Sequence, residues 1–358
     1  MAEGGAEQCA VEFADLLPGA QVVTSFFDAR RFGDRIDPQR VRTWPLQRVL
    51  GPSPHFRKLL PLYPWWFGRQ RLAAPLVLSS SIAFTHAVRR QGPGLHVSYV
   101  YTPMRYAWDL ETYLTGSSLS LPARVAARTI RPLLRRWDVA TSRRPDVLVA
   151  ISETVRERIA TSWGRESDAV IFPPVDTTRI TPGETDDGFL LVAARLLAYR
   201  RVDLAVAAAT ASGRRLVVVG DGPERRRLET LAGPTVEFRG HLDRVTLVDL
   251  FRRCHAYLLP GVEDFGIAPV EAMAAGRPVV AFRGGGARET VVDGVTGTFF
   301  DTPDAAALAD AIDRLDRLTL DRAAIRARAV EFDTAVFRRR WIELFERLGV
   351  DPDLYSAG

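Results

Sequence analysis

The sequence predicts an α/β protein made of two successive halves. In the second half, short apolar runs alternate with helical stretches, which is typical of a parallel sheet. Residues 172–187 are rich in Pro, Gly and Asp and are typical of a linker between the halves. The chain has 358 residues, 47% of them hydrophobic, which is enough for two domains with a core each.

The elements of the second half follow from these apolar runs and the helical stretches between them. The predicted strands are 189–193, 215–219, 235–238, 256–259 and 278–282. The predicted helices are 202–211, 223–231, 268–275 and a last amphipathic helix, 335–348. No apolar run approaches the roughly 18 residues of a membrane-spanning helix, and the N-terminus has no signal-peptide pattern.

The charge of the chain is unevenly divided. The whole chain carries a net charge of +5, but residues 1–168 carry +8 and residues 169–358 carry −3. The first half is therefore the better face for an anionic partner, although the dispersed charge and the lack of a recognition motif argue against nucleic acid. Cys9 and Cys254 give neither a disulfide framework nor a metal-binding spacing, so a reducing cytoplasm is expected.

Two carboxylates flank the turn that joins the run 256–260 to the helix after it. Glu263 follows the carboxyl end of a predicted strand, and Glu271 lies in the first turns of the helix. Ligands bind in that crevice of an open α/β sheet, and the free N–H groups at a helix N-terminus suit a phosphate. Glu271 alone could merely complement the helix dipole. Together with the Gly-rich run 284–286, the pair favours a site for a nucleotide sugar.

A family resemblance becomes specific at these residues. Glu263 and Glu271 lie eight positions apart, and Ala-Ala-Gly-Arg-Pro-Val-Val (274–280) and the Gly-rich run beginning at Gly284 follow. The set resembles the donor site of family 4 of the retaining glycosyltransferases, which have a GT-B fold. The resemblance implies two Rossmann-like domains facing a central cleft, with a C-terminal helix crossing back to the first domain. The expected parts are an acceptor-side domain, a donor domain, and a crossover helix with tail, at 1–170, 171–334 and 335–358.

The resemblance also implies roles for single residues of the donor site. Glu263 is expected to face the donor sugar, and Arg195 and Arg200 to clamp its diphosphate, with Arg200 standing where the family has lysine. The resemblance implies that neither a metal nor a cofactor is needed, so fixed cations are expected to stabilise the leaving diphosphate. The residues expected to bind the rest of the donor are Gly4, Gly5, Gly220, Asp264, Phe265, Gly266, Ile267 and Glu271.

The first half narrows the resemblance. The run Thr-Pro-Met-Arg-Tyr-Ala-Trp-Asp at 102–109 resembles the bacterial mannosyltransferases that build O-antigen and capsule repeat units. An acceptor is accordingly expected against Arg105, Tyr106 and Trp108. Tyr101 stands where that subgroup has a catalytic-site histidine that contacts the donor sugar. The family's first strand is absent, because only Met-Ala-Glu precedes Gly4, so either the start is assigned too late or the sheet pairs differently.

The expected reaction is transfer of a sugar, with retention, from GDP-mannose or a related hexose or deoxyhexose donor. Glu263, Arg195, Arg200 and Tyr101 form the expected catalytic set, and the acceptor is a glycan, a lipid-linked sugar or a small molecule. Three alternatives stay open. They are a non-hydrolysing nucleotide-sugar epimerase, a glycoside hydrolase with paired carboxylates, and a silent GT-B module that only binds nucleotide.

A membrane contact is expected only if the acceptor is lipid-linked. The predicted helix 121–137 places four arginines three or four residues apart, namely Arg124, Arg128, Arg131 and Arg135. Such a face suits anionic lipid, and a solvated face explains it as well. The second expected contact is 56–71, which contains Trp65, Trp66 and Phe67. The expected location is the cytoplasm, with a peripheral position at the inner face of the membrane.

Overall fold

The computed structural model describes residues 5–52, 56–111 and 120–355, which form two α/β units. The helices of the first unit are α1 (Gly5–Leu16), α2 (Ala29–Phe32), α3 (Gln47–Leu50), α4 (Tyr63–Arg69), α5 (Arg105–Trp108), α6 (Leu121–Ser142) and α7 (Glu153–Trp163). Its strands are β1 (Val22–Thr24), β2 (Val41–Thr43), β3 (Arg71–Ala73), β4 (Leu76–Ser81), β5 (Arg89–Gln91), β6 (Leu95–Val100), β7 (Val147–Ala150) and β8 (Ala169–Val170). Short 3-10 turns occupy Pro38–Arg40, Phe56–Leu62 and Thr85–Ala87.

The central sheet of the first unit has four parallel strands in the order β4-β6-β7-β8. Strands β1 and β2 form a parallel pair of their own, and so do β3 and β5. The first strand that the family resemblance implies is not among the described residues. The core of this unit lies on β6 and β7, where Val97, Tyr99, Leu148 and Val149 are fully buried.

The second unit is more regular. Its helices are α8 (Val202–Ser212), α9 (Arg225–Leu231), α10 (Arg244–Arg253), α11 (Ile267–Ala274), α12 (Ala287–Thr290), α13 (Ala305–Asp316), α14 (Arg322–Val330) and α15 (Thr334–Arg347), with 3-10 turns at Ala198–Arg200 and Pro352–Leu354. Its strands are β9 (Leu190–Ala193), β10 (Leu216–Val219), β11 (Val236–Gly240), β12 (Ala256–Leu259), β13 (Val279–Phe282) and β14 (Gly297–Phe300).

These six strands form one parallel sheet in the order β11-β10-β9-β12-β13-β14. The predicted strands all form within two residues of the predicted bounds, because four-residue apolar runs such as β10 are buried on both faces. Strand β14 was not predicted. From β9 the chain runs outward through β10 and β11 and then returns to β12 on the other side of β9. The carboxyl ends of β9 and β12 therefore border a crevice of the kind in which ligands bind in such sheets.

The C-terminal helix α15 confirms the predicted crossing back to the first unit. Its Trp341 is fully buried, with ring centroids 5.0 Å from Phe13 of α1 and 5.4 Å from Tyr99 of β6. Arg338 adds an ion pair to Glu12 at 2.7 Å. The GT-B architecture expected from the sequence is therefore present. Within the described part of the chain, no helix is long and apolar enough to span a bilayer.

Candidate functional site

Four loops meet at the carboxyl edge of the second sheet, after β9, β10, β12 and β13. Glycine permits their close approach. A Cβ atom on Gly261 would lie 2.6 Å from the carbonyl oxygens of both Tyr199 and Arg200. Gly285 has a φ of 60°, and the N–H of Gly286 donates to the Glu263 carbonyl at 2.8 Å. The loops therefore form one connected surface around Glu263.

Glu263 and Arg200 form an ion pair on this surface, and their side chains are 15% and 24% exposed. The Arg200 guanidinium also lies 5.3 Å from the centre of the Tyr199 ring. The structure thus brings together two residues that the sequence predicts for the donor site, and their separate roles toward sugar and diphosphate stay predictions. Arg195 is exposed, and no residue of the described chain pairs with its guanidinium. It is a cation free to meet an anionic ligand.

Glu271 lies on the buried side of α11. Its carboxylate accepts a hydrogen bond from Arg244 Nη1 at 2.5 Å, and its side chain is 10% exposed. Burial raises the pKa of Glu271, and Arg244 opposes that shift. The sequence did not single out Arg244, because an arginine in the first turn of a helix is an ordinary surface residue.

The segment between the two carboxylates has mixed roles. Gly266 precedes α11 with a φ of 94°, which favours glycine. Phe265 is buried, and its ring stacks at 5.6 Å on Phe172 of the linker, so its side chain is a core residue. Ile267 approaches Gly5 so closely that a Cβ on Gly5 would collide with its side chain. The first residues of the first unit therefore touch the start of α11. Gly4 lies outside the described residues.

Gly220 follows β10 and has a structural reason to be glycine. Its φ is 120°, its N–H donates to the Gly240 carbonyl at 2.6 Å, and a Cβ would collide with the Ala194 carbonyl. It therefore holds the loops after β9, β10 and β11 together.

The three residues expected to bind the acceptor lie in different surroundings. Arg105 reaches across the cleft, with Nη2 at 2.5 Å from Asp264 Oδ2 and its guanidinium 5.2 Å from the Tyr199 ring. Tyr106 is partly buried beside it. Trp108 points inward, and its Nε1 donates to the fully buried Asp138 at 2.7 Å. Arg105 therefore belongs to the cleft, whereas Trp108 supports it from within the first unit.

The Asp264 carboxylate forms ion pairs with arginines of the first unit. Arg158 of α7 binds its second carboxylate oxygen, so both oxygens meet arginines. Glu289 of α12 makes a second link, to the first turn of α7. The sequence predicted Asp264 as a donor ligand and did not single out Arg158 or Glu289. Contacts between residues more than a hundred positions apart leave no local signal.

Tyr101 is 9% exposed and lies between β4 and α1. Its hydroxyl is 2.9 Å from Ser80 Oγ and 3.5 Å from the Ala6 carbonyl, and its ring packs edge-on at 5.3 Å against Tyr99. Burial raises its pKa well above the usual value, so the hydroxyl is a neutral phenol at pH 7. Its position next to Ala6 places it one residue from Gly5, at the edge of the cleft.

A polar cluster lies beneath the cleft in the first unit. Asp138 Oδ2 accepts from the indoles of Trp108 and Trp163, at 2.7 and 2.6 Å, and its Oδ1 lies 3.5 Å from His86 Nε2. Burial raises the pKa of Asp138 to about 6 and lowers that of His86 to about 3. The cluster has no sequence motif, because its members come from α5, α6, α7 and the 3-10 turn Thr85–Ala87.

Three of the four arginines of the predicted basic face of α6 bind other parts of the first unit. Arg131 and Arg135 both donate through Nε to the Ala107 carbonyl, at 3.0 and 2.9 Å, and Arg128 binds Glu111. Apolar side chains of the same helix that are 48 to 73% exposed are Leu121, Val125, Ile130 and Leu133. The predicted basic face is therefore largely engaged within the unit, and several apolar side chains of the helix are exposed.

Within residues 5–52, 56–111 and 120–355, no three His, Cys, Asp or Glu side chains are grouped so that they could hold a metal ion.

Comparison with known proteins supports the same region. Residues 176–331 match the family model described as Glycosyl transferases group 1, and they include every candidate residue of the second unit. The GDP-mannose-dependent alpha-(1-6)-phosphatidylinositol monomannoside mannosyltransferase of Mycolicibacterium smegmatis is 29% identical. That match covers 69% of this chain and 65% of the relative. The D-inositol 3-phosphate glycosyltransferase of Mycobacterium tuberculosis is 31% identical over 47% of this chain and 40% of its own length. The chain thus spans less than two thirds of these relatives.

Among solved structures, Anabaena HepE in complex with UDP-glucose has a TM-score of 0.69 at 19% identity, covering 97% of both chains. Sucrose-phosphate synthase from Thermosynechococcus elongatus has a TM-score of 0.68 at 20% identity, covering 96% of this chain and 92% of the other. At this identity the likeness establishes the fold.

Proposed function

We propose that this chain is a GT-B glycosyltransferase that moves a sugar from a nucleotide diphosphate sugar to an acceptor hydroxyl. The observation that carries the proposal is the loop edge of the second sheet. There Glu263, Glu271 and Arg200 stand at strand and helix ends, inside the region that matches glycosyl transferases group 1. Ligands of open α/β sheets bind at that edge.

The donor would lie along this edge. Ribose hydroxyls would donate to the Glu271 carboxylate, the N–H groups at the start of α11 would meet the diphosphate, and Arg195 and Arg200 would clamp it. GDP-mannose, or a related hexose or deoxyhexose donor, is supported by the name of the mycolicibacterial relative. No metal is assigned a role, because two arginines and the helix N-terminus supply positive charge where the diphosphate leaves.

The proposed reaction retains the configuration at the anomeric carbon. The bond from that carbon to the diphosphate breaks while the acceptor oxygen bonds from the same face, and the acceptor proton passes to the departing phosphate oxygen. Glu263 orients the sugar, and the arginines meet the charge that develops on the leaving group. Before the donor arrives, Arg200 and Glu263 neutralise one another, so donor binding would exchange their ion pair for contacts with the ligand.

The test first measures the binding of nucleotides and nucleotide sugars to the protein and then measures sugar transfer. A thermal-shift screen of nucleotides and nucleotide sugars should show stabilisation of about 2.7 kcal/mol at 100 times the dissociation constant. Glu271→Ala should weaken the binding of free nucleotide. Glu263→Ala should leave nucleotide affinity nearly unchanged and slow transfer about 100- to 1,000-fold, since it removes a group that acts on the sugar.

The other candidates give different results in the same assays. Equal nucleotide affinity in both variants and in the wild type would contradict the assignment of Glu271. Conversion of the donor to an epimer without acceptor would identify an epimerase. Binding without turnover against a broad acceptor panel would leave a nucleotide-binding module, and cleavage of glycosides without nucleotide would identify a hydrolase.

Tyr101 is proposed to tune the sugar pocket, since its phenol lies beside the first residues of α1. A phenol is longer than the imidazole of the related enzymes and leaves less room at the hydroxymethyl side of a hexose. Tyr101→His should therefore raise the ratio of kcat/KM for GDP-mannose over a 6-deoxy donor. An unchanged ratio would remove this role.

A lipid-linked acceptor is supported by a relative whose name gives a phosphatidylinositol mannoside as its substrate, and by the exposed apolar side chains of α6. We propose that Val125 and Leu133, 54 and 64% exposed, enter the surface of an anionic bilayer. Leu133→Glu should reduce sedimentation with phosphatidylinositol-containing vesicles at low salt, whereas Val330→Glu, at an exposed site of the second unit, should not. Absence of sedimentation for the wild type would leave a glycan or a small molecule as the acceptor.

A further inference from the structure

The first turn of α7 is capped from the other unit. Glu289 of α12 accepts from the backbone N–H groups of Glu153 and Thr154, at 2.7 and 2.9 Å, and from Thr154 Oγ1 at 2.9 Å. Ser152, the residue before α7, accepts from the Val155 N–H at 3.1 Å. The first N–H groups of a helix have no partner within it, and a carboxylate is favourable there. Glu289 of the second unit thus caps the N-terminus of a helix in the first unit.

Asp264 makes the second half of the same contact. Its carboxylate oxygens are bound by Arg105 at 2.5 Å and by Arg158, and its backbone carbonyl accepts from Ser152 Oγ at 2.6 Å. Every acceptor oxygen of this residue is therefore engaged by the first unit. The Asp264 side chain is only 15% exposed, which leaves little room for a ligand beside the two guanidinium groups.

Both carboxylates are joined through the backbone to Glu263. Asp264 is its neighbour in sequence. Glu289 belongs to α12, which begins directly after Gly286, whose N–H donates to the Glu263 carbonyl at 2.8 Å. Glu263 therefore stands between two points that hold the first unit. Tyr199 adds a further link, because its ring lies 5.2 Å from the Arg105 guanidinium and 5.3 Å from that of Arg200.

We infer that Asp264 and Glu289 are positioning residues, which clasp α7 and Arg105 when the cleft is closed and thereby set the place of Glu263. The inference rests on the proposed function for its effect on transfer, and on geometry alone for its effect on closure. Asp264 is assigned here to the contact between units and not to the donor. Opening the cleft would break these contacts together, since all of them join α7 or α5 to the loops after β12 and β13.

Closure can be measured without any activity. Cysteines introduced at Val49 and Val245, which are 82 and 80% exposed, take a fluorophore pair, while the native Cys9 and Cys254 are buried. In the wild type, single-molecule energy transfer should show mainly one closed population. Asp264→Ala and Glu289→Ala should shift at least half of the molecules to lower transfer. The milder Asp264→Asn and Glu289→Gln variants should give intermediate shifts.

The matched control is Glu237→Ala, which removes an ion pair with Arg239 inside the second unit. It should change neither closure nor transfer. In the clasp variants kcat should fall at least tenfold, while the affinity for free GDP or UDP stays within twofold, because Glu271 and Arg244 are untouched. A merely structural role would lower nucleotide affinity and melting temperature together.

The outcomes separate the inference from the proposed function. Unchanged energy transfer in Asp264→Ala and Glu289→Ala would overturn the clasp, whatever the activity. A shift in energy transfer with unchanged kcat would overturn its positioning role. A shift in energy transfer in a protein that binds no nucleotide would support the clasp and contradict the proposed glycosyltransferase.

Discussion

The sheets of the two units differ in where their polar side chains lie. In the first unit, Ser79, His96 and Ser98 are buried within β4 and β6, above the buried pair of His86 and Asp138. In the second unit, β9, β10, β12 and β13 carry aliphatic and aromatic side chains, and the charged groups stand in the loops at their ends. The second unit is thus held by apolar burial, and the charged groups at its strand ends, such as Glu263 and Arg200, lie outside its core. The first depends on a polar network and on a borrowed helix.

The largest effect is expected when the packing of α15 on the first unit is removed. Trp341→Ala should lower the free energy of unfolding by about 3–5 kcal/mol, because the indole is fully buried against Phe13 and Tyr99. Hydrogen exchange should quicken most in β6 and β7 of the first unit. The matched control is Leu231→Ala at an exposed site. Equal loss of protection in β9 and β12 would show that the two units do not differ in this way.

The second prediction concerns how the stability of the first unit depends on pH. The pKa of Asp138 is about 6 in the folded chain and about 3.9 when unfolded, so this residue contributes stability that is complete below pH 4 and lost as the pH rises to 6. The pKa of His86, about 3, has the opposite effect, since its contribution is lost as the pH falls below 6.5. The two partly cancel between pH 4 and 6.

In the Asp138→Asn variant, His86 alone should determine how the stability of this cluster depends on pH. Stability should then fall more steeply on acidification, by about 1.4 kcal/mol per pH unit between pH 6 and 4. At pH 8 the variant should be at least as stable as the wild type, because a buried charge with one unpaired oxygen is removed. Urea unfolding at several pH values measures this. As control in the second unit, Thr298→Val removes a buried 2.9 Å hydrogen bond to the Ala311 carbonyl and should give no change in pH dependence.

The smallest expected effect lies in the second unit, where the backbone is strained at one point. Arg201 has a φ of 51°, the one positive value at a non-glycine residue in the described chain. Arg201→Gly should stabilise the protein by about 1 kcal/mol, raising the melting temperature by a few degrees. Arg201→Ala keeps the strain and should not stabilise. A lower melting temperature in the glycine variant would mean that the Arg201–Asp203 pair outweighs the backbone strain.

The sequence predicts the second unit well because its signals are local. Buried parallel strands are uninterrupted apolar runs, and glycines such as Gly266 and Gly285 occupy positions with positive φ. Strand β14 escaped prediction because it begins with Gly-Thr and follows a turn-rich segment. The donor-side charges could be placed as well, since each follows a strand or begins a helix.

The first unit and the cleft were harder to predict for a physical reason. The engagement of Asp264 by Arg105 and Arg158, and of Glu289 by α7, depends on how two units pack across more than a hundred residues of sequence. The inward turn of Trp108 depends on Asp138, which a helical pattern alone presents as a surface residue. Side chains whose partners are distant in sequence carry no period or motif of their own.

The packing of α15 on the first unit also means that this unit cannot complete its core until α15 has been synthesised. Phe13 is translated more than three hundred residues before its partner Phe337, and their ring centroids are 5.5 Å apart in the folded chain. At about 5–20 residues per second, the nascent first unit waits roughly 15 to 65 s for that helix. During this interval the apolar surface of α1 and β6 is uncovered, so the growing chain has an exposed site for chaperones that the finished protein lacks.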